Sequence, residues 1–324
     1  MEKPFISVIV TAYNRKQFIL EALNSIINQT LSRDKYEVIV TKNFEDKDID
    51  KFISDNDMKN ILFTEPGIGP RLVDAIKLCQ GDVITFLEDD DIWSNNRLER
   101  VYDVFKNYNV GFYHNSSIRN KINEDYSGLV KQLGITDPNN YKIIDYKYKN
   151  KIYTKNWENN SSIAISKDLA TRYIHEIYSS GIATDFFLFL IALADKKNLF
   201  IDFNRLTFIR AHERAKTLEE ELEYEEKLMK NLLYGLDLAK RYKSHTGIDI
   251  TKLQIFNWVT QIDILKKTKK AKLIKDALDF FPAFKLINGR VIKKIALILI
   301  YLIKPGYAKG KLVARLGSRG RIKH

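Results

Sequence analysis

Four consecutive carboxylates, Glu88-Asp89-Asp90-Asp91, directly follow the strand-like run Asp82–Leu87 and precede Ile92-Trp93. Like charges this close resist ionisation unless a cation compensates them. A hard divalent ion with oxygen ligands, Mg²⁺ or Mn²⁺, supplies that compensation and also bridges diphosphate oxygens. Alternate side chains of a strand share a face, so Glu88 and Asp90 are expected on one side and Asp89 and Asp91 on the other. One pair would then hold metal while the other orients ribose or acceptor. A solvated acidic turn is the competing reading.

A second polar turn follows an apolar strand in residues 5–15, FISVIVTAYNR. In open α/β sheets ligands bind outside the carboxyl ends of the strands. Thr11, Ala12, Tyr13 and Asn14 are therefore expected on the same edge as Glu88–Asp91, with backbone groups available to a base and ribose. A plain helix cap at Asn14 is the alternative.

The elements that must position these turns alternate. Phe5–Val10 reads as a buried strand, and a helix from about Lys16 carries Ile19, Leu20, Leu23, Ile26 and Ile27 as one apolar stripe. YEVIVT at 36–41 is a second strand, Asp50–Ile53 a short helix, and Asn60–Thr64 a third strand. A turn at 66–70, a helix over Leu72–Leu78 and a fourth strand over Asp82–Leu87 follow. The alternation predicts a parallel sheet covered on both faces. Phe186–Ala194 reads as a fully buried helix and Thr217–Tyr242 as a charged amphipathic one. The α/β signals give way to helix near Ala215, which suggests units at 1–215, 216–263 and 264–324.

Of the 324 residues, 45% are hydrophobic and 29% charged, which excludes a disordered or collagen-like chain. The single cysteine, Cys79, forbids an internal disulfide, fits a reducing compartment and reads as a small buried hydrophobe. The apolar start is too short for a secretory signal, and no run of ~18 apolar residues could span a bilayer. An intracellular location is expected.

The net charge of +12 is concentrated at one end: Ile264–His324 carries 17 Lys/Arg against 2 Asp. Such a segment points to an anionic partner. Its aromatics, among them Phe280, Phe281 and Tyr301, are not interleaved with basic residues as a nucleic-acid stacking platform would be, so a membrane surface is favoured over nucleic acid. The apolar run Ile295–Ile303 covers only about 14 Å as a helix, against a hydrocarbon core of ~30 Å. Flanked by Lys293, Lys294 and Lys304, it fits an interfacial helix, or else a core helix.

The chain resembles an inverting glycosyltransferase of family 2 with the GT-A fold, over roughly residues 5–215. The resemblance rests on SVIVTAYNR, SIINQT, YEVIV, AIKLCQGDVITFLEDDDIW, NNSSIAI, TDFFLFLIALA and RLTFIRAH, in that order and spacing. It implies a Rossmann-like nucleotide-sugar-binding sheet with a C-terminal helical extension. The first turn, Thr11 to Asn14, would hold the nucleotide of the donor, together with Asn43 and Asp89. The acidic motif maps onto Glu88, Asp89 and Asp90, with Asp90 the metal ligand and Asp91 just beyond it. The family's catalytic base falls on Asp185, whose carboxylate would take the acceptor's proton; capping the buried helix is its other reading. Lys42 stands where the family often has an acid contacting the base, so any preference for UDP that such an acid supports is expected to weaken. Arg71 would contact a phosphate or form a surface salt bridge. His212 would meet metal or phosphate, or be an ordinary loop histidine. Trp157 and Asn160 are acceptor candidates, Trp157 being equally readable as a core residue. The processive Gln-x-x-Arg-Trp motif is absent, which favours a single addition. The resemblance extends to a nucleotide-sugar donor and a lipid-linked or glycan acceptor, and the tail to the cytoplasmic membrane face. The main alternative among enzymes is a nucleotidyltransferase, which would normally carry a Gly-rich loop after the first strand where this chain has Thr11-Ala12-Tyr13-Asn14-Arg15; a catalytically inactive sugar-nucleotide-binding protein is the other alternative.

Overall fold

Ile6–Ala12 forms β1 because its β-branched residues favour an extended chain and can be buried on both faces of a sheet. The computed structural model describes residues 3–63, 67–121, 127–145, 157–195, 197–211, 217–283 and 286–318. β1 lies between β2 (Tyr36–Lys42) and β4 (Val83–Glu88), both parallel to it, and β3 (Lys59–Leu62) extends the sheet beyond β2. The intervening helices are α1 (Ile19–Ile27), α2 (Lys47–Asp55) and α3 (Ile68–Leu78). Ile19, Leu23 and Ile26 of α1 pack against Val8, Val10 and Val40, whereas Leu20 points to solvent.

The parallel sheet expected from the alternation is only half of the observed one. Among the described residues the nine strands form one mixed sheet of order β3-β2-β1-β4-β8-β6-β9-β5, with β7 also on β9. Its second half comprises β5 (Ile92–Trp93), β6 (Phe112–Lys121), β7 (Tyr141–Ile144), β8 (Ile163–Ser166) and β9 (Leu199–Ala211). β8 runs antiparallel to both β4 and β6. Short-range alternation could not reveal this, because β8 reaches β4 from about 80 residues away, as in the pairing of Ile84 with Ile165. The long strand β9 pairs with β7 at one end and with β5 at the other.

Around this sheet lie α4 (Arg97–Asn107), α5 (Ser127–Val130), α6 (Lys167–Arg172), α7 (Ile174–Tyr178) and α8 (Thr184–Ala194). α8 is apolar on every side, and Phe186 through Leu193 are all buried. Burying each such Phe or Leu contributes about 1.5–3 kcal/mol. α3 begins four residues earlier than its apolar pattern suggests, at Ile68, and passes close to α7 at Gly69. A Cβ there would sit 2.3 Å from the Tyr178 carbonyl oxygen, so glycine is what lets the two helices meet.

Residues Met1–Ala211 form one compact unit and His212–His324 a second. The second contains α9 (Leu218–Arg241), α10 (His245–Leu265), α11 (Lys270–Asp279), α12 (Gly289–Ile303) and α13 (Pro305–Ser318). Thr217 caps α9 by accepting the Glu220 N–H at 3.1 Å, and three glutamates in the first turn suit the positive end of the helix dipole. Leu253, Phe256 and Ile264 of α10 share one core with Leu273, Val291, Tyr301 and Leu312. The residues on either side of position 264 therefore pack together. Among the described residues no helix is long and apolar enough to cross a membrane.

Candidate active site

The parallel register carries three strand ends to one edge. Thr11 is level with Glu88 on β4, and Ala12 with Lys42 on β2. The Asp89 N–H donates to the Thr11 carbonyl at 3.1 Å, extending the pairing by one residue. There the strand stops and the chain turns through Asp89 and Asp90, closed by the Asp91 N–H on the Glu88 carbonyl at 3.1 Å.

That turn breaks the side-chain alternation expected for a continuing strand. Asp89 faces the β1 turn, accepting the Tyr13 N–H at 3.3 Å and the Arg15 guanidinium at 2.6 Å. Glu88, Asp90 and Asp91 instead form one group, each with an oxygen within 4.8 Å of the others. Asp91 thus joins the pair it was expected to oppose. Its two oxygens accept from Asn159 Nδ2 at 3.0 Å and from the Arg210 N–H at 3.2 Å. Asn160 Nδ2 donates to Glu88 at 3.1 Å, and Arg15 to Asp90 at 2.9 Å.

Burial, reinforced by repulsion from Asp90, pushes the Glu88 carboxyl up to about 7. Burial raises Asp91 well above the usual carboxylate range, and Asp89 to about 6 despite the nearby Arg15. Glu88 and Asp91, both raised by burial, converge with Asp90 into a set of oxygen donors suited to a hard divalent cation.

Beside this group lies a pocket of ≈ 130 Å³ whose walls include Thr11, Tyr13, Arg15, Arg71, Glu88 and Asn160. Arg71 is buried, not part of a surface ion pair. It lies 4.7 Å from the Tyr13 ring centroid and donates to the Gly67 carbonyl at 3.0 Å and the Ala12 carbonyl at 3.4 Å. Asn14 and Asn43 hold each other: the Asn14 N–H donates to Asn43 Oδ1 and Asn43 Nδ2 to Asn14 Oδ1, both at 2.8 Å. Asn14 has φ 55 and lies outside α1, so it is a turn residue and not the cap of that helix. Lys42 is also buried, but its ammonium is paired with Asp50 at 2.7 Å and donates to the Phe44 carbonyl at 2.6 Å.

Asp185 lies in the first turn of α8, but Ala183, not Asp185, is the N-cap. Its two oxygens accept the Asn159 N–H at 3.0 Å and the Phe186 N–H at 2.8 Å. Burial pushes its carboxyl up to about 6. Trp157 packs on Phe186, ring centroids 4.8 Å apart. Trp157 Nε1 and the Oδ1 atoms of Asn159 and Asn160 are buried without a hydrogen-bond partner among the described residues. His212 lies outside the described residues.

Two site residues were missed from the sequence. Arg15 bridges Asp89 and Asp90, and only its charge at the end of the first turn hinted at this. Asn159 links Asp185 through its backbone to Asp91 through its side chain, with φ 80. No local pattern signals that link, since its partners are 26 and 68 residues away.

The family model described as glycosyl transferase family 2 matches residues 7–172. A poly(ribitol-phosphate) beta-glucosyltransferase of Bacillus spizizenii is 31% identical over 111 residues, 31% of this chain and 17% of that protein. The UDP-Glc:alpha-D-GlcNAc-diphosphoundecaprenol beta-1,3-glucosyltransferase WfgD of Escherichia coli is 28% identical over 152 residues, 42% of this chain and 58% of that protein. Both matches cover less than two thirds of the relative's own length. Among solved structures, S. aureus TarS 1–349 in complex with UDP-GlcNAc superposes with a TM-score of 0.57 at 14% identity, over 99% of this chain and 93% of that one. The mannosyltransferase PcManGT from Pyrobaculum calidifontis, in complex with GDP-Man and Mn²⁺, gives a TM-score of 0.50 at 13% identity, over 98% and 87% of the two chains. These likenesses establish a GT-A fold. With the strand-end acids and the first turn both inside the matched residues, this chain belongs to glycosyl transferase family 2.

Proposed function

We propose that this protein transfers a single hexose from a nucleoside-diphosphate sugar to an acceptor hydroxyl, with inversion and with a divalent metal. The observation that carries the reading is the Asn159 link, which sets a carboxylate poised near neutrality, Asp185, beside the acid group of Glu88, Asp90 and Asp91. In this reading Asp90, with Glu88 and Asp91, holds Mg²⁺ or Mn²⁺. A metal bound there would supply charge stabilisation for the departing diphosphate. Thr11, Ala12, Tyr13, Asn14, Asn43, Asp89 and Arg71 hold the donor around the pocket. Arg71 and Arg15 bring positive charge to its wall, which suits a diphosphate. Asp185 takes the proton of the acceptor hydroxyl as that oxygen bonds the anomeric carbon and the bond to the diphosphate breaks. Trp157 offers an apolar ring face to a sugar, and the unpartnered Asn160 Oδ1 can accept from a hydroxyl. Lys42, held by Asp50, lies outside this set.

The acceptor we favour is a lipid-linked sugar reached from the cytoplasmic membrane face, with the protein held there peripherally. Support comes from the basic excess of residues 264–324, and from WfgD, whose named acceptor is a diphosphoundecaprenol-linked sugar. Screening UDP-, GDP- and dTDP-sugars by thermal shift, with and without Mn²⁺ or Mg²⁺, tests the donor and metal parts. A metal-dependent upshift with one nucleotide class, lost in Asp90→Ala, is expected. Donor binding and turnover by Asp90→Ala with unchanged metal dependence would remove Asp90 from the metal site.

A further inference from the structure

The helix α12 is apolar on two opposite sides. Val291, Leu297, Ile298 and Tyr301 turn inward to the core of the helical unit. Ile292, Ala296, Leu299 and Ile303 recur at i, i+4, i+7 and i+11, which is one stripe of a helix, and this stripe faces solvent. Ile292 is 59%, Leu299 56% and Ile303 78% exposed, and Tyr307 at the start of α13 is 61% exposed. A helix that is hydrophobic all round is normally buried all round. The outer stripe of α12 needs a second apolar medium.

Charge identifies that medium. Residues 289–318 carry seven Lys/Arg and no Asp or Glu. Lys293 and Lys304 lie on and beside the outer stripe of α12, and Lys311 is exposed on α13. A second copy of this chain would bring the same positive charge against itself. An anionic lipid surface offers an apolar layer for the stripe and negative headgroups for the lysines together. α12 spans 15 residues and so lies along such a surface without crossing it.

We propose that the outer face of α12, with Tyr307, is a docking surface for an anionic membrane, the stripe entering the headgroup–acyl boundary and Lys293, Lys304 and Lys311 meeting lipid headgroups. The proposal deepens the membrane part of the function proposed above and rests on it. Its test reads binding without turnover, so a failed transferase assignment leaves it standing and the converse also holds. The full chain is sedimented with vesicles of phosphatidylcholine plus phosphatidylglycerol and with vesicles of phosphatidylcholine alone, at low and high salt. Expected is partitioning to the anionic vesicles that weakens with salt. The Leu299→Gln/Ile303→Gln variant should lose at least about tenfold in partitioning, because two apolar side chains no longer leave water. Its circular dichroism and Tm should be unchanged, since both side chains point away from the core. Lys293→Glu/Lys311→Glu should also reduce binding to the anionic vesicles and make it less dependent on salt. Equal partitioning of the Leu299/Ile303 variant and the parent would overturn the proposal. A parent that ignores anionic vesicles would do the same, as would a dimer in sedimentation velocity that the variant splits.

Discussion

Replacing Asp185 by Asn separates proton transfer from folding. The carboxyl is raised from 3.8 to about 6 by burial. That change corresponds to at most about 3 kcal/mol against the ionised form, less to the extent that part of the side chain reaches water. The amide escapes this penalty. It presents a carbonyl to only one of the two N–H groups, of Asn159 and Phe186, that the carboxylate satisfies. Leaving the other buried donor unpaired costs about 1–3 kcal/mol. The two effects nearly cancel near neutral pH, so Tm should move by a few degrees at most. A raised folded-state pKa also fixes the sign of the pH dependence. The contribution of Asp185 to stability is complete below its unfolded value and is lost as pH rises through about 6. Stability of Asp185→Asn relative to the parent should therefore improve from about pH 4 to pH 6 and level off from there to pH 8. Turnover behaves otherwise. The parent's rate should drop about tenfold per pH unit below about 6, because a protonated carboxyl accepts no proton, and the variant should lose ~10²–10⁴-fold throughout. Initial rates of sugar transfer across that range, with thermal melts on the same samples, measure both effects. A variant that keeps more than about a tenth of the rate, or retains the acid limb with its midpoint unchanged, would remove Asp185 from proton transfer.

Lys42→Ala should lower stability by about 1–3 kcal/mol, because a buried ammonium paired with Asp50 is lost, while the ranking of donor nucleotides stays the same; a changed ranking in the donor screen would put Lys42 back beside the base. At Asn159, with φ 80, glycine should be better tolerated than alanine by about 1–2 kcal/mol in denaturant melts, and both should slow transfer by releasing Asp91; equal melts for the two would deny the strain. Gly69→Ala should cost about 1–3 kcal/mol, because its Cβ would meet the Tyr178 carbonyl, and it should weaken donor affinity by shifting α3 and with it Arg71. An unchanged Tm would show that α3 and α7 separate freely.

Local chemistry made much of this protein legible in its residues. The β-branched run of β1, the stripe of α1 and the uniform apolarity of α8 each determine an element from neighbours within a few residues. The run of four acids after β4 is legible too as a concentration of negative charge at a strand end, although burial in the fold is what chiefly raises Glu88, Asp89 and Asp91. The strong basic excess after residue 264 is likewise a property of composition. Strand alternation, however, misassigned Asp91, since it assumed that the strand continued where a turn begins.

What the tertiary structure alone decided are the relations between distant segments. Lys42 occupies a position where a base-contacting acid was expected, yet its side chain turns to Asp50, a partner set by the packing of α2 against the sheet. Arg15 meets Asp89 and Asp90 only because β1 and β4 are neighbours in parallel register. Asn159 meets both Asp185 and Asp91 only because β8 enters the sheet beside β4 and carries the turn before it to the strand-end acids. In the helical unit, the sequence determined that α12 is apolar, but only its packing decided which half of that apolar surface is already buried. Sequence fixes propensity and charge through neighbours along the chain; contact between residues tens of positions apart is fixed by register and packing, which exist only once the chain has folded.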